Sequence, residues 1–540
     1  MTGAQALVHS LAAEGVEVVF GLPGVHAIPI YDTLYDYQEI RYIGVRHEQA
    51  AAYMADGYSR STGRVGVCLT TTGPGAANTV TAMAEAYSSS VPVLQLCTQI
   101  HSSLVDRAKG ALHDTKDQLG LFRAVTGWNK RIESVADVPN SIREAFDKMQ
   151  TERPRPVQLE IPVDLLTFEA DVELPQPPSY QRPGGDEALV RQATEWLRTS
   201  HTPIIWAGGG VITSQFTDEL VELAELLQAP VLTTFMGKGA IPEDHPLSLG
   251  NWATAGDTRD ILQEFLDNCD LMLALGSRFS ALSTGEWALR LPERLIQIDI
   301  DPSEIGKNYP TAIGITGDIK KTVQAILAQL REAGIGERIP RAEEVTALRS
   351  VVYEILAATQ GGRLQVVEAI REALSREAIL VNDMTIVAYA ASRHFRVYQP
   401  RTFLYPSGSG SLGFGFPAAL GAKVAWPQRQ VVAICGDGGF MMTCQELATA
   451  VQYEINLPVI IFNDHGYGAL RETQDIEYSG RRIGVDLTEP DFVRFAEAFG
   501  ATGIRVEQLN ELGPALSKAL SSPKPTLIEV VGPLIESLSY

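Results

Sequence analysis

Short apolar runs, rich in β-branched residues, recur along this 540-residue chain between longer stretches with helical spacing. In the first part of the chain they are Val16–Val19, Ile40–Val45, Gly66–Thr71, Val91–Leu96 and Val157–Ile161. Continuously apolar runs of that length predict buried parallel strands covered by helices. A proline-rich stretch beginning at Leu174 and reaching Gly185 breaks the pattern and reads as an extended linker. The runs resume at Pro203–Ala207, Pro230–Thr233, Leu271–Leu275 and Leu295–Asp299, and a charged, helical connector follows from about Leu330 to Leu364. The predicted fold class is α/β: three domains, residues 1–168, 186–330 and 365–540, each a mostly parallel sheet with helices on both faces.

The third domain carries the most informative unit. An apolar strand, Gln430–Cys435, runs into Gly436-Asp437-Gly438-Gly439; helical spacing follows over Cys444–Val451, and a second strand, Leu457–Phe462, ends at Asn463-Asp464. In such a crossover both strand ends lie on one edge of the sheet, so Asp437 and Asp464 can converge. Two hard oxygen ligands beside helix-start amides suit a small divalent cation carrying a diphosphate. Gly466 and Gly468, either side of Tyr467, let the backbone approach a ligand. A plain glycine turn with a solvated aspartate accounts for the first strand end alone.

In the first domain, Glu48 stands where a strand gives way to an alanine-rich helix, Arg46-His47-Glu48-Gln49-Ala50-Ala51-Ala52-Tyr53. It reads either as a first-turn acid favoured by the helix dipole or as a functional carboxylate. Thr71-Thr72-Gly73-Pro74-Gly75 is a strand end, turn and helix start that can line a pocket, although Gly-Pro-Gly is a general punctuator. His26, after Gly21-Leu22-Pro23-Gly24-Val25, and His113, in a polar loop, are either solvated surface groups or proton carriers suited by their near-neutral titration.

Composition removes several classes. A formal net charge of −21 leaves little to gain from a polyanion, so nucleic acid is not an expected partner. Five scattered cysteines without metal-ligand spacing read as buried free thiols of a reducing compartment. No apolar run reaches membrane-span length, and the N-terminus reads as an amphipathic helix without a signal peptide; a cytoplasmic protein, with no membrane partner, is expected.

The segments around Asp437 and Asp464 resemble the diphosphate motif of thiamine diphosphate-dependent enzymes, with Asp464 in place of the family's second asparagine. The order of three α/β units is similar as well, across essentially the whole chain. The resemblance implies thiamine diphosphate and Mg²⁺ as cofactors, with Asp437, Asp464 and the carbonyl of Gly466 on the metal. It implies that Glu48 activates the cofactor through its aminopyrimidine ring, and that His26 and His113 are acid–base candidates. Gly24, Thr72 and Gly73 would adjoin the cofactor, as would Gly436, Gly438, Gly439, Tyr467 and Gly468. Asp383 and Thr385, at another strand end, would approach the diphosphate. In the loop Ser407-Gly408-Ser409-Gly410-Ser411-Leu412, Ser409 and Gly410 would line the cofactor and Leu412 would wedge between its two rings.

Within that family the chain is most similar to the acetolactate synthase-like group, which implies decarboxylation of a 2-oxo acid followed by ligation to a second carbonyl compound. Segments such as Leu112-His113-Asp114-Thr115 resemble decarboxylases of longer 2-oxo acids, for example 5-guanidino-2-oxopentanoate, which release an aldehyde. Two departures from the synthases are Ile386-Val387 in place of a Gln-His pair, and no tryptophan in the helix after Gly468. Arg471 reads equally as a substrate-carboxylate ligand or as a helix ion pair with Asp475. The middle domain resembles an FAD-binding fold at Gly276-Ser277-Arg278, but Asn251–Gly256 does not reproduce an FAD-contact segment, so FAD is possible and not favoured. Active sites between subunits, in a homodimer or homotetramer, are implied. The readings from other classes are a non-catalytic nucleotide-binding paralogue and a nicotinamide dehydrogenase using the weak glycine loop Gly208-Gly209-Gly210.

Overall fold

The computed structural model describes residues 1–174, 179–251 and 258–538; residues 175–178 of the expected linker lie outside them. Three six-stranded sheets carry the core. The strands of the first lie side by side in the order Arg41–Gly44, Val18–Gly21, Gly66–Thr70, Val93–Gln99, Val157–Pro162 and Trp128–Arg131, all parallel. The second runs Ile313–Thr316, Leu295–Asp299, Leu271–Leu275, Pro203–Ala207, Val231–Thr233 and Ser248–Gly250, again parallel. In the third, five parallel strands follow the order Ile379–Asn382, Val431–Gly436, Pro458–Phe462, Thr526–Val530 and Thr502–Val506.

The inner strands of the first two sheets, and Val431–Gly436 and Pro458–Phe462 of the third, are those the apolar runs predict; Thr526–Val530, an inner strand buried throughout, is not among the predicted runs. Trp128–Arg131, Ser248–Gly250 and Ile313–Thr316 escape that pattern because they are short edge strands; the first of them is half-buried throughout and half charged. The connector is the Ala342–Glu372 helix, broken at Gly361 by non-helical backbone, and it continues beyond the expected end at Leu364. All five cysteines are free, and four of them are buried. No helix among the described residues is long and apolar enough to cross a membrane.

The residues form two compact units. One comprises Met1–Gln181, Ile379–Thr385 and Pro406–Ile535; the other comprises Arg182–Ala378, Ile386–Tyr405 and the residues from Glu536 onward. The first unit is centred on two buried helices, Glu48–Thr62 and Gly415–Ala425, that cross each other at glycines. A Cβ on Gly57 would stand 2.0 Å from the carbonyl oxygen of Ala418, and one on Gly421 would stand 2.0 Å from that of Met54. The helix backbones therefore touch, and only glycine fits at either position.

Asp56 and Arg60 are sealed beside this crossing. Arg60 pairs with both Asp56 and Glu85 and lies 5.0 Å over the Phe414 ring. Burial pushes the Asp56 carboxyl up to about 6, although Arg60 opposes the shift. Gly421→Val should destabilise the protein by at least ~1–3 kcal/mol, the usual cost of overpacking a core. Urea denaturation measures this, and Gly513→Val, whose Cβ meets nothing within 4 Å, is the control.

Candidate active site

On the first sheet, the chain crosses over between the adjacent strands Val18–Gly21 and Gly66–Thr70, and the loops leaving their carboxyl ends meet. A Cβ on Gly24 would fall 2.5 Å from Cβ of Thr71, and one on Gly75 would fall 2.8 Å from the Thr71 methyl and 3.4 Å from Oε1 of Glu48. Glu48 is the first residue of its helix and is 8% exposed. Its Oε2 accepts a hydrogen bond from the Asn78 side chain at 2.9 Å, and no bond holds Oε1 among the described residues.

The helix start is itself braced. Both oxygens of buried Glu446 accept from the Arg46 amide at 3.1 Å, Oε1 also accepts from the His47 amide at 3.0 Å, and Oε2 accepts from Thr449. Nothing in the spacing of the sequence announces this brace, because the Arg46 and His47 amides lie about four hundred residues from Glu446.

Thr72 and Gly73 are held from beneath by Gln118. Its Oε1 accepts from Oγ1 of Thr72 at 2.9 Å and from the Gly73 amide at 2.8 Å, while its Nε2 donates to Glu160 at 2.8 Å. Gly73 has φ +65, and a Cβ there would meet the His113 carbonyl at 2.6 Å. The turn thus carries His113 toward His26: the two rings lie 5.1 Å apart, and the Nδ1 atom of each is buried without a hydrogen-bond partner. Burial, and then the charge of His113, hold His26 below the usual histidine value. Oγ1 of Thr71 is a third buried polar atom without a partner.

On the third sheet the Gly-Asp-Gly sequence is not a turn ahead of a helix. The helix begins at Asp437 itself and runs Asp437–Met441, Gly436 caps it with an ordinary φ of −82°, and the expected Cys444–Val451 helix is split into Cys444–Glu446 and Leu447–Gln452. Asp437 therefore stands at the first helical position, where the free amides and the dipole favour an anion. Its Oδ2 accepts from the Gly466 amide at 2.8 Å. Burial, and then the Asp464 carboxylate, push Asp437 up to about 7. Asp464 is also raised, chiefly by burial, with Arg471 opposing. Two coupled carboxylates partly removed from water are a site that a cation stabilises.

Among the described residues no three His, Cys, Asp or Glu side chains gather to hold a metal.

The neighbouring glycines are spaced by close contacts. A Cβ on Gly438 would strike the Tyr467 ring at 2.6 Å, one on Gly436 would lie 3.2 Å from Oγ1 of Thr385, and one on Gly439 would lie 3.3 Å from the Asp383 carboxyl. Gly468 opens the next helix, Gly468–Glu477. Asp383 and Ser409 are spent on structure. The Asp383 carboxylate is fully buried and accepts from the amides of Met384, Gly413 and Gly415 at 2.7, 3.1 and 3.0 Å; Ser409 gives both its amide and its hydroxyl to Glu85, at 2.8 and 3.0 Å. Those anchors, with Gly410 and Gly413 at positive φ, shape the loop that carries half-buried Leu412.

Of the two readings of Arg471, the helix ion pair with Asp475 does not form. Asp475 pairs with Arg482, and Arg471 instead donates to Asp486 at 3.0 Å, to the carbonyls of Asp464 and His465 at 3.2 and 3.0 Å, and to the Asp464 carboxylate at 3.5 Å. It thus clamps the segment that contains Gly466. The glycines of the second sheet are likewise used in packing: a Cβ on Gly208 would stand 2.1 Å from the Gly276 carbonyl oxygen, and one on Gly210 would stand 2.6 Å from the Gly276 Cα. The dinucleotide reading of that loop loses its reason, since close packing alone explains the glycines. The Asn251–Gly256 segment lies, from residue 252, outside the described residues.

Residues 1–121 match the N-terminal TPP binding domain of thiamine pyrophosphate enzymes, residues 190–326 their central domain, and residues 383–530 their C-terminal TPP binding domain. The chain belongs to the thiamine pyrophosphate enzyme family. It is 38% identical to a probable acetolactate synthase large subunit of Methanocaldococcus jannaschii, over 98% of this chain and 92% of the relative. It is 37% identical to the acetolactate synthase large subunit IlvB1 of Mycobacterium tuberculosis, over 96% and 86%. It is 36% identical to a probable 2-ketoarginine decarboxylase AruI of Pseudomonas aeruginosa, over 98% and 94%. This thiamine pyrophosphate enzyme is acetolactate synthase-like along nearly its full length.

Glu446→Ala should cost about 1–3 kcal/mol, the penalty for leaving buried donors unsatisfied at Arg46 and His47. The shift of the urea midpoint, compared with that of an exposed control such as Glu454→Ala, measures it.

Proposed function

We propose that this enzyme decarboxylates a small 2-oxo acid and ligates the retained fragment to a second carbonyl compound, as an acetolactate synthase does. The observation that carries the reading is the division of labour between two sheet edges: a buried glutamate with one free oxygen on the first, and a coupled aspartate pair at a helix start on the third. Thiamine diphosphate, when bound, supplies the nucleophilic carbon that adds to the 2-oxo carbonyl and takes up the electrons left by departing carbon dioxide.

Asp437, Asp464 and the Gly466 carbonyl would hold Mg²⁺ and, through it, the diphosphate. Amides at the start of the Asp437–Met441 helix and the glycines 436, 438, 439 and 468 would line the diphosphate, with Thr385 and Tyr467 at its borders. Asp383 and Ser409 would act at one remove, by fixing the loop that presents Gly410 and Leu412. Glu48 would hold a proton at Oε1 against the cofactor's pyrimidine while Asn78 keeps its other oxygen in place. Gly24, Thr72 and Gly73 would shape that pocket and set His26 and His113 to move the substrate's protons. By the family to which the chain belongs, Glu48 of one copy and Asp437 of another would complete each site, in a homo-oligomer. A cytoplasmic location accords with the free cysteines.

A second reading, a decarboxylase that releases an aldehyde from a longer 2-oxo acid, is favoured by the His26–His113 pair, which can protonate a fragment before an acceptor arrives. Incubation of the protein, thiamine diphosphate and Mg²⁺ with a panel of 2-oxo acids, read by mass spectrometry, separates the two. Acetolactate from pyruvate supports the ligase; an aldehyde one carbon shorter than a longer substrate supports the decarboxylase; neither product with any acid overturns both. Glu48→Gln should lower turnover by about 10²–10⁴-fold in the same assay, the range for a positioned acid–base group. His113→Asn should move the acidic limb of the kcat/KM profile to higher pH, because removing the His113 cation lifts one of the two causes that hold His26 down. An unmoved limb would take His26 out of the proton path.

A further inference from the structure

The second unit contains a cavity of about 980 Å³ that the reading above does not use. It is bordered by the Ser248–Gly250 edge strand, both halves of the Ala342–Glu372 helix, and the segment Arg393–Tyr398. Five arginines line it: 349, 371, 376, 393 and 396. In a chain of net charge −21, that concentration of cations calls for an explanation.

Carboxylates do not supply it. Arg376 pairs with Asp244 at 2.8 Å. Glu243 is taken by buried Lys238 and by the Val397 amide, and Glu368 accepts from the Tyr353 hydroxyl at 2.8 Å. Glu354 and Glu372 also line the cavity but are exposed. Arg371 donates only to main-chain carbonyls, those of Leu374, Ser375 and Arg396, and Arg349 reaches the Ser248 carbonyl at a long 3.5 Å. Among the described residues neither of these, nor Arg396, makes an ion pair. Burial, and then the adjacent Arg396 charge, hold the Arg349 guanidinium below the ordinary arginine value, with Glu243 and Asp244 opposing. His394, which also lines the cavity, keeps a buried Nε2 without a partner.

The remaining wall is apolar, formed by Leu249, Val352, Leu356, Leu364, Val367 and Leu374. Guanidinium forks match phosphate oxygens two at a time, and a repelling pair is relieved best by a ligand with more than one negative charge. The volume falls within the range of small-molecule sites. We propose that this cavity binds an organic polyphosphate of nucleotide size, its phosphates on Arg349, Arg371 and Arg396 and its uncharged part against the apolar wall. Gly208, Gly210 and Gly276 of the second sheet take no part in the lining.

The test is calorimetric titration of the protein already saturated with thiamine diphosphate and Mg²⁺, so that the diphosphate-binding edge of the third sheet is filled. ADP and ATP should bind, with affinity falling as salt rises; adenosine should give no heat, and inorganic pyrophosphate should bind more weakly than ADP. The double variant Arg349→Gln, Arg396→Gln should weaken ADP about tenfold or more, with an unchanged unfolding midpoint in the absence of nucleotide. Three results overturn the proposal: no heat from either nucleotide, equal affinity in the double variant, or adenosine binding as tightly as ADP. Pyrophosphate binding as tightly as ADP would overturn the nucleotide-sized part and leave a simple anion site.

Discussion

Two helices whose backbones touch set the geometry of the first unit. With glycine at 57 and 421, the carbonyls of Ala418 and Met54 come within the space a methyl group would fill, and no larger side chain fits without parting the helices. Each helix leads directly to candidate site residues. Glu48 is the first residue of one, and the other starts at Gly415, whose amide is bound by Asp383 beside Gly439. A displacement at the crossing is therefore carried to both groups of candidate residues.

Around that crossing, carboxylates divide into two kinds. Glu446, Asp383, Glu85 and Glu160 accept from several fixed donors each and serve as anchors: for the start of the Glu48 helix, for the glycine-rich loop from two sides, and for Gln118 under Thr72. Glu48, Asp437 and Asp464 retain acceptor capacity or oppose one another at short range. A carboxylate engaged by three amides holds a loop; one engaged by a single side chain still has an oxygen to offer a ligand.

The same distinction explains what the sequence could and could not reveal. Apolar runs mark most of the inner strands because burial on both faces demands them, whereas Trp128–Arg131 sits at an edge and needs no such run. The convergence of Asp437 and Asp464 follows from crossover topology, and the hydrogen bond that the Gly466 amide donates to the Asp437 carboxylate accords with it. The structural duties of Asp383 and Ser409 were not legible, since their partners are set by tertiary contacts with no fixed spacing. Arg471 misled for a related reason: Asp475 lies one helical turn away, but the main-chain carbonyls of Asp464 and His465 and the Asp486 carboxylate offer the guanidinium a better-matched set of acceptors. His26 and His113 are remote in sequence and meet where the His113 backbone packs against Gly73, whose positive φ and close contact favour glycine.

Glu85 gathers Arg60, Ser89, Gly408 and Ser409 onto one carboxylate, and so ties a helix of the N-terminal third of the chain to a loop of its C-terminal third. Read linearly, the chain is three modules that recombination could shuffle. Read through Glu85, its two outer modules are a single inheritance. A chimera that exchanged one without the other would inherit either a glycine-rich loop without its Glu85 anchor or a buried Glu85 without the Gly408 and Ser409 donors it accepts from, so the natural seams for exchange border the middle module alone.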